Sequence, residues 1–168
     1  IENKPADQVL NYGFKISASE QITAYYEVTP TCNCNPDIFA LKGRNALGLA
    51  FLTPFQSLLN NASYARSGFN IVATENNTNI TITPTQNIIG HVAGVPFTIS
   101  LNKGQTYYGE AAGTNASQHL AGTSIISNKP IAVTLSDDTA QGTPFGGCAD
   151  LMGDQLIPIS ILGTEYIA

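Results

Sequence analysis

A chain of 168 residues, 43% of them hydrophobic, is long enough to bury a core, and one domain is the expectation at this length. Only 11% of the residues are charged and the formal net charge is −5, which argues against a nucleic-acid partner, since phosphate binding needs a surplus of Lys and Arg. The apolar residues come in short runs, none near the length of a membrane helix, so direct membrane insertion is not expected either. What remains, abundant Thr, Asn, Gly and β-branched residues with few Lys and Glu, is the composition of an extracellular β protein, and the abrupt opening at Ile1 is consistent with a leader already removed.

Residues 1–12 read as a polar, irregular lead-in. Residues 14–18 and 21–28 read as a first hairpin, with Tyr25, Tyr26 and Val28 supplying β-propensity. A loop over 29–36 carries Cys32-Asn33-Cys34, and residues 37–42 and 46–53 read as two further strands around the turn Gly43-Arg44-Asn45. Residues 54–67 read as a long loop, with room for a helical turn at Phe55, Leu58 and Leu59. Next, residues 69–74 and 79–83 flank Glu75-Asn76-Asn77-Thr78, and Asn-Asn tolerates the positive φ of a tight turn, so a hairpin is predicted. Alternation puts Ile80 and Ile82 on one face and threonines on the other. Residues 95–101 and 105–110 read as another hairpin around Asn102-Lys103-Gly104, and a polar connection over 113–118 follows. Residues 122–138, GTSIISNKPIAVTLSDD, then read as strands 124–126 and 131–135 joined by the turn Ser127-Asn128-Lys129-Pro130.

This last stretch restates the beginning of the chain. Gly13 falls on Gly122, Ile16 on Ile125 and Ile22 on Ile131 at a constant offset of 109 residues (122 − 13). Leu41 to Gly48 then answers Leu156 to Gly163 at an offset of 115 (163 − 48), which sets Phe51 on Tyr166. A repeat of this length is a supersecondary unit used more than once. Strands therefore come in sets of four, over residues 14–53, 69–110 and 124–167, with no helical period anywhere. The predicted fold is all-β: consecutive antiparallel four-stranded meander units, propeller-like, with β-sandwich repeats as the alternative. Residues 13–168 would be one partial β domain, with an incomplete second repeat starting near residue 122 and the native chain continuing past Ala168.

Several groups of residues could carry chemistry. Asp137, Asp138, Asp150 and Asp154 lie in a glycine-rich segment, and several carboxylates on a turning loop are how a structural calcium is held; solvated or capping aspartates are the alternative, and no other cofactor is implied. Cys32 and Cys34 flank a single residue, so a bond between them would be strained and Cys148 bridged to Cys34 or Cys32 is the better pairing; the repeat sets both groups in the same loop of their copies. Three cysteines without CxxC spacing make a poor zinc site. His91 and His119 have no nucleophile signature beside them and read as polar loop residues, and Asp137, Asp138 and Glu110 offer only the carboxylate pairs any acidic surface has. In the pairs Tyr25-Tyr26 and Tyr107-Tyr108 one member would face in and the other out. Asn61, Asn76, Asn79 and Asn115 each open an Asn-x-Ser/Thr glycosylation sequon.

Ser127-Asn128-Lys129-Pro130-Ile131-Ala132-Val133, then Cys148-Ala149-Asp150, then Asp154 to Pro158 and Leu162 to Tyr166, resemble the N-terminal domain of IgGFc-binding proteins. The resemblance covers most of residues 14–168. The wording, with Phe69 to Thr74 and Asp137-Asp138, is closer to the versions in large surface proteins of Bacteroidetes, often exported by the type IX system and tied to adhesion or gliding. It implies a domain of which this chain is part, and a sugar on Thr139 within Asp138-Thr139-Ala140, which resembles the O-glycosylation sequon of that phylum. The function expected is a non-catalytic module of a cell-surface adhesin on the bacterial outer surface, binding a glycan, glycoprotein or polymer through loops on a rigid scaffold. A structural or assembly module completed by strands of another chain is the alternative, and a carbohydrate-active enzyme the third reading.

Overall fold

The computed structural model describes residues 3–29, 36–142 and 149–167. Among these residues there are eleven strands, three short 3₁₀ turns and no α-helix. Nine strands form one antiparallel sheet, nearly closed into a barrel. The other two, β2 (Tyr25–Val28) and β3 (Asp37–Ala40), form a separate hairpin.

The sheet is organised by one strand, β10 (Ser124–Gln141), 18 residues long. Along one edge of it run β7 (Thr78–Thr83), β6 (Ser67–Ala73) and β5 (Asn60–Asn61), with Ser124 opposite Thr83, Ile131 opposite Ala73 and Ala140 opposite Asn61. Along its other edge run β4 (Gly48–Leu52) and β11 (Ala149–Gln155). Outside β7 and β6 lie β8 (Phe97–Leu101) and β9 (Thr106–Glu110), and β1 (Val9–Leu10) closes the far edge of β9.

Three predicted hairpins are therefore absent. Residues 124–126 and 131–135 belong to one strand, and β6 and β7 do not pair with each other but follow one another down the same side of β10. β8 and β9 likewise do not pair with each other but follow one another along the outer edges of β7 and β6. The turn-like stretches 74–77, 102–105 and 127–130 are interruptions at one level of three long antiparallel tracks. There, side chains replace the ladder that the backbone abandons. Asn102 Oδ1 accepts from the amide of Asn77, Asn76 Oδ1 from the amide of Lys103 and Asn128 Oδ1 from the amide of Asn79. Pro130 has no N–H to lose, and its carbonyl accepts from Thr74 Oγ1. The positive φ that Asn77 and Gly104 supply is spent on a kink, not a reversal. No four-stranded blade stands by itself: the strands expected in three separate units pair across those units.

The kink lets both halves of the tracks face one core. Inward positions of β10 carry Ile125, Ile131 and Val133, all fully buried with Phe51, Phe69, Ile71, Ile80 and Ile82. Each such side chain contributes about 1.5–3 kcal/mol by leaving water. Glycine makes room for the largest of them: a Cβ on Gly109 would stand 2.2 Å from Phe69 Cζ. Residues 14–18 form no strand, and residues before them are held closely: Asp7 Oδ1 accepts from the Tyr107 hydroxyl at 2.9 Å and lies 2.9 Å from His91 Nε2. Burial, and then the Asp7 carboxylate, push the Tyr107 hydroxyl pKa well above its ordinary value. Tyr107 and Tyr108 are both buried and Tyr25 and Tyr26 both exposed, so neither pair divides into one buried and one exposed ring.

The two offsets seen in the sequence reappear in strand register. Tyr25 pairs with Ala40, Tyr26 with Phe39, Glu27 with Ile38 and Val28 with Asp37. Their equivalents, Thr134 with Gln155, Leu135 with Asp154, Ser136 with Gly153 and Asp137 with Met152, pair identically. Each hairpin is followed by a 3₁₀ turn, Gly43–Ala46 and Ile159–Ile161. The hairpins also meet: the ring of Phe39, stacked on Tyr26, covers Gly153, where an added Cβ would be 2.8 Å from Phe39 Cε1. Lys42 fastens the contact through its amide to Gln155 Oε1 and its ammonium to Asp154.

Candidate functional site

Beyond Leu135 the inward positions of β10 turn polar, to Asp137 and Thr139. A carboxylate 3% exposed must be partnered, and Asp137 is: Asn61 Nδ2 donates to it at 2.7 Å and Gln56 Nε2 at 3.0 Å, with His119 Nδ1 at 3.4 Å. Gln56 in turn holds its own loop, its Oε1 accepting from the amides of Leu58 and Leu59. Thr139 then takes a φ of +49°, and the register against β11 shifts between Asp137 and Ala140. A bulge of this kind re-aims the strand end.

Above this buried network lies an open cleft of about 470 Å³. Three distant segments build it. β5 is pinned on one side by Ala140 and Gln141 and on the other by the amide of Asn61 donating to Thr114 O at 2.8 Å. Asn60 Oδ1 accepts from the amide of Ala116 at 2.8 Å, and Asn115 caps the short turn Ala116–Gln118 reciprocally with Gln118. The lining side chains are Asn60, Asn61, Ser63, Thr114, Asn115 and Gln141, with Gly142 at the edge. None is ionisable, and all are amides or hydroxyls that both donate and accept. Asn61 Oδ1 is buried without a hydrogen-bond partner in the structure, and Tyr64, next to Ser63, is 78% exposed.

A family profile described as IgGFc binding protein matches residues 39–168, well over half of the chain. The chain belongs to the IgGFc-binding protein family. Neither a curated protein nor a solved structure shows significant similarity to it. The family is one of binding domains rather than enzymes. All of the cleft, β4 to β11 and the kinked tracks lie within the IgGFc-binding span, which begins inside β3, whereas β1 and β2 precede it.

Within this IgGFc-binding fold the four aspartates do not come together as a ligand set. Asp137 is internal, Asp138 accepts from Thr139 Oγ1, Asp150 accepts from the amide of Leu151, and Asp154 pairs with Lys42. Among the described residues no three His, Cys, Asp or Glu side chains converge as a metal group would require. Cys32, Cys34 and Cys148 lie outside the described residues. Of the predicted sugar acceptors, Thr139 and Asn61 are buried, at 4% exposure each, while Asn76, Asn79 and Asn115 are exposed. His119 is not a loop-surface residue but is buried against Asp137, and His91 stacks on Phe97 with ring centres 3.4 Å apart. Sequence reading missed the cleft, although the one available signal was the Asn60-Asn61 pair.

Proposed function

We propose that the chain is a non-catalytic extracellular module of a cell-surface adhesin, and that the amide-lined cleft holds a neutral glycan of a surface glycoprotein. The observation that carries this is the cleft's uncharged lining. Sugar hydroxyls each donate and accept, and a wall of Asn, Ser, Thr and Gln side chains matches them without competing charge. Tyr64, which follows Ser63 in the chain and is 78% exposed, would supply an aromatic face for a pyranose. Membership of a binding family supports a glycoprotein partner, and the resemblance to exported Bacteroidetes proteins supports a place on the bacterial outer surface, reached through type IX secretion. Against an enzymatic reading, Asp137 is enclosed by Asn61, Gln56 and His119, out of a substrate's reach.

A glycan array followed by titration calorimetry tests the proposal. Asn60→Ala and Asn115→Ala are expected to weaken a hit at least about tenfold, since each strips hydrogen bonds worth roughly 1.4 kcal/mol together. Added salt should leave binding unchanged, because no charge lines the cleft. Binding that survives both substitutions, or that collapses in salt, would place the ligand elsewhere. Turnover of a carbohydrate that is lost in Asp137→Asn or Asp154→Asn would replace this reading by the enzymatic one.

A further inference from the structure

The amides around the cleft are oriented by the backbone, and this decides which of their atoms a ligand meets. An amide oxygen must face a backbone N–H and an amide nitrogen must face an acceptor, so neither kind can be turned over. Asn60 Oδ1 accepts from the amide of Ala116 at 2.8 Å, and the Asn115 side chain accepts from the amide of Gln118. Among the described residues, Nδ2 of each of these exposed side chains is left without a protein partner. Gly113 protects the arrangement: a Cβ there would stand 2.0 Å from Gln118 Oε1, the atom to which the amide of Asn115 donates. Asn61 is turned the other way. Its Nδ2 donates to Asp137 Oδ1 and Asp138 O, each at 2.7 Å, and its Oδ1 is buried, so it offers a ligand neither.

The cleft is therefore rich in uncharged donors and short of acceptors. Ser63 and Thr114 can turn a hydroxyl either way and Gln141 an amide, but the two fixed nitrogens beside the Asn115-Ala116 peptide only donate. A matching ligand presents an acceptor to them, and one without charge, because no cation lines the cleft to offset an anion. At the edge the chain turns through Gly142 with a φ of +138°, and Leu59 Cδ2 lies 3.8 Å from where a Cβ on Gly142 would be. The same cleft thus carries a small apolar contact.

We propose that the glycan is recognised through an N-acetylated amino sugar, whose acetamido carbonyl accepts from Asn60 Nδ2 and Asn115 Nδ2 while its methyl group rests on Leu59 at Gly142. The inference rests on the glycan reading of the cleft and narrows it. An acetamido group joins an uncharged carbonyl to a methyl group, the two features this wall matches, and the carbonyl's two lone pairs can serve both donors. Its N–H is left for the Ser63 or Thr114 hydroxyl, either of which accepts. A plain hexose carries at that carbon only a hydroxyl, which brings no methyl group.

The side-chain amide signals of Asn60 and Asn115, followed by NMR in protein carrying no sugar on Asn115, test it. The probes are the methyl glycosides of N-acetylglucosamine, N-acetylgalactosamine, glucose and galactose, taken to about 50 mM because a single sugar ring belongs to the millimolar class. The acetylated sugars are expected to shift both signals and to bind about tenfold more tightly than their plain counterparts, the worth of one good hydrogen bond. Asn60→Asp keeps an oxygen for the Ala116 amide but sets an acceptor where Nδ2 donated. It is expected to erase the preference while the Ala116 amide signal stays in place, which shows that the wall is still folded. Equal binding of acetylated and plain sugars, or a preference that Asn60→Asp retains, would overturn the proposal and leave the glycan reading standing. Silence of both signals toward all the sugars would remove the cleft as a sugar site, and the proposal with it.

Discussion

Ile125 and Ile16 occupy equivalent places 109 residues apart, yet one is fully buried and the other 47% exposed. The first sits between β4 and β7 in the middle of a nine-stranded sheet, and the second lies in a segment with no regular structure. Their surroundings share a glycine three residues before and an isoleucine six residues after, Gly13 and Ile22 answering Gly122 and Ile131. The difference shows that β-propensity only makes a stretch eligible, and that a partner on each edge decides whether it becomes a strand. The neighbouring hairpins make the complementary point: with a partner strand of its own, each copy folds to the same register.

Substitutions can separate the closed copy from the open one. Ile125→Ala is expected to cost about 2–5 kcal/mol in urea unfolding, as a core truncation that leaves a cavity. Asp137→Ala should cost about 1–3 kcal/mol by leaving Asn61 and Gln56 donors buried without their acceptor, whereas Val28→Ala, at the equivalent place on β2, should cost much less. Gly153→Val drives a side chain into Phe39, where even a Cβ stands 2.8 Å from the ring, and should cost about 1–3 kcal/mol while exposing the ring to quenchers as the hairpins part.

The hydroxyl of Tyr107, which anchors the chain ahead of the open copy through Asp7, has a pKa raised on folding. Its contribution is therefore fully present below the unfolded pKa of about 10 and is lost as pH rises beyond it. Stability measured from pH 9 to pH 11 should fall more steeply for the wild type than for Tyr107→Phe, about pH 10 being where the curves diverge. Smallest of all, Ile16→Ala should change stability by less than about 0.5 kcal/mol in dilute protein. A loss comparable to that of Ile125→Ala would mean that residues 14–22 are already packed.

Much of this was legible in the sequence. The strands rich in Ile, Val, Thr and Tyr were found, as was the repeat whose offsets reappear in the registers. The pairing was not. Glu75-Asn76-Asn77-Thr78, Asn102-Lys103-Gly104 and Ser127-Asn128-Lys129-Pro130 have the composition of reversals, and the same residues serve equally well to kink three adjacent antiparallel tracks. Only the partner strand distinguishes the two outcomes, and it lies about fifty residues away, as β10 does from β6 and β7. Asp137 read as a loop carboxylate, although the alternation Ile131, Val133, Leu135 points it inward. The cleft escaped because its wall is shared among residues 60–63, 114–115 and 141–142, each of which reads alone as an ordinary polar connection.

Hydrogen exchange of dilute protein, resolved residue by residue, tests most directly the claim that equivalent positions of the two copies differ here in their strand partners. The account predicts that amides of Ile125, Ile131 and Val133 exchange only on global unfolding, while those of Ile16 and Ile22 exchange at nearly the rate of an unstructured peptide. Equal protection of both stretches in the isolated molecule would contradict it.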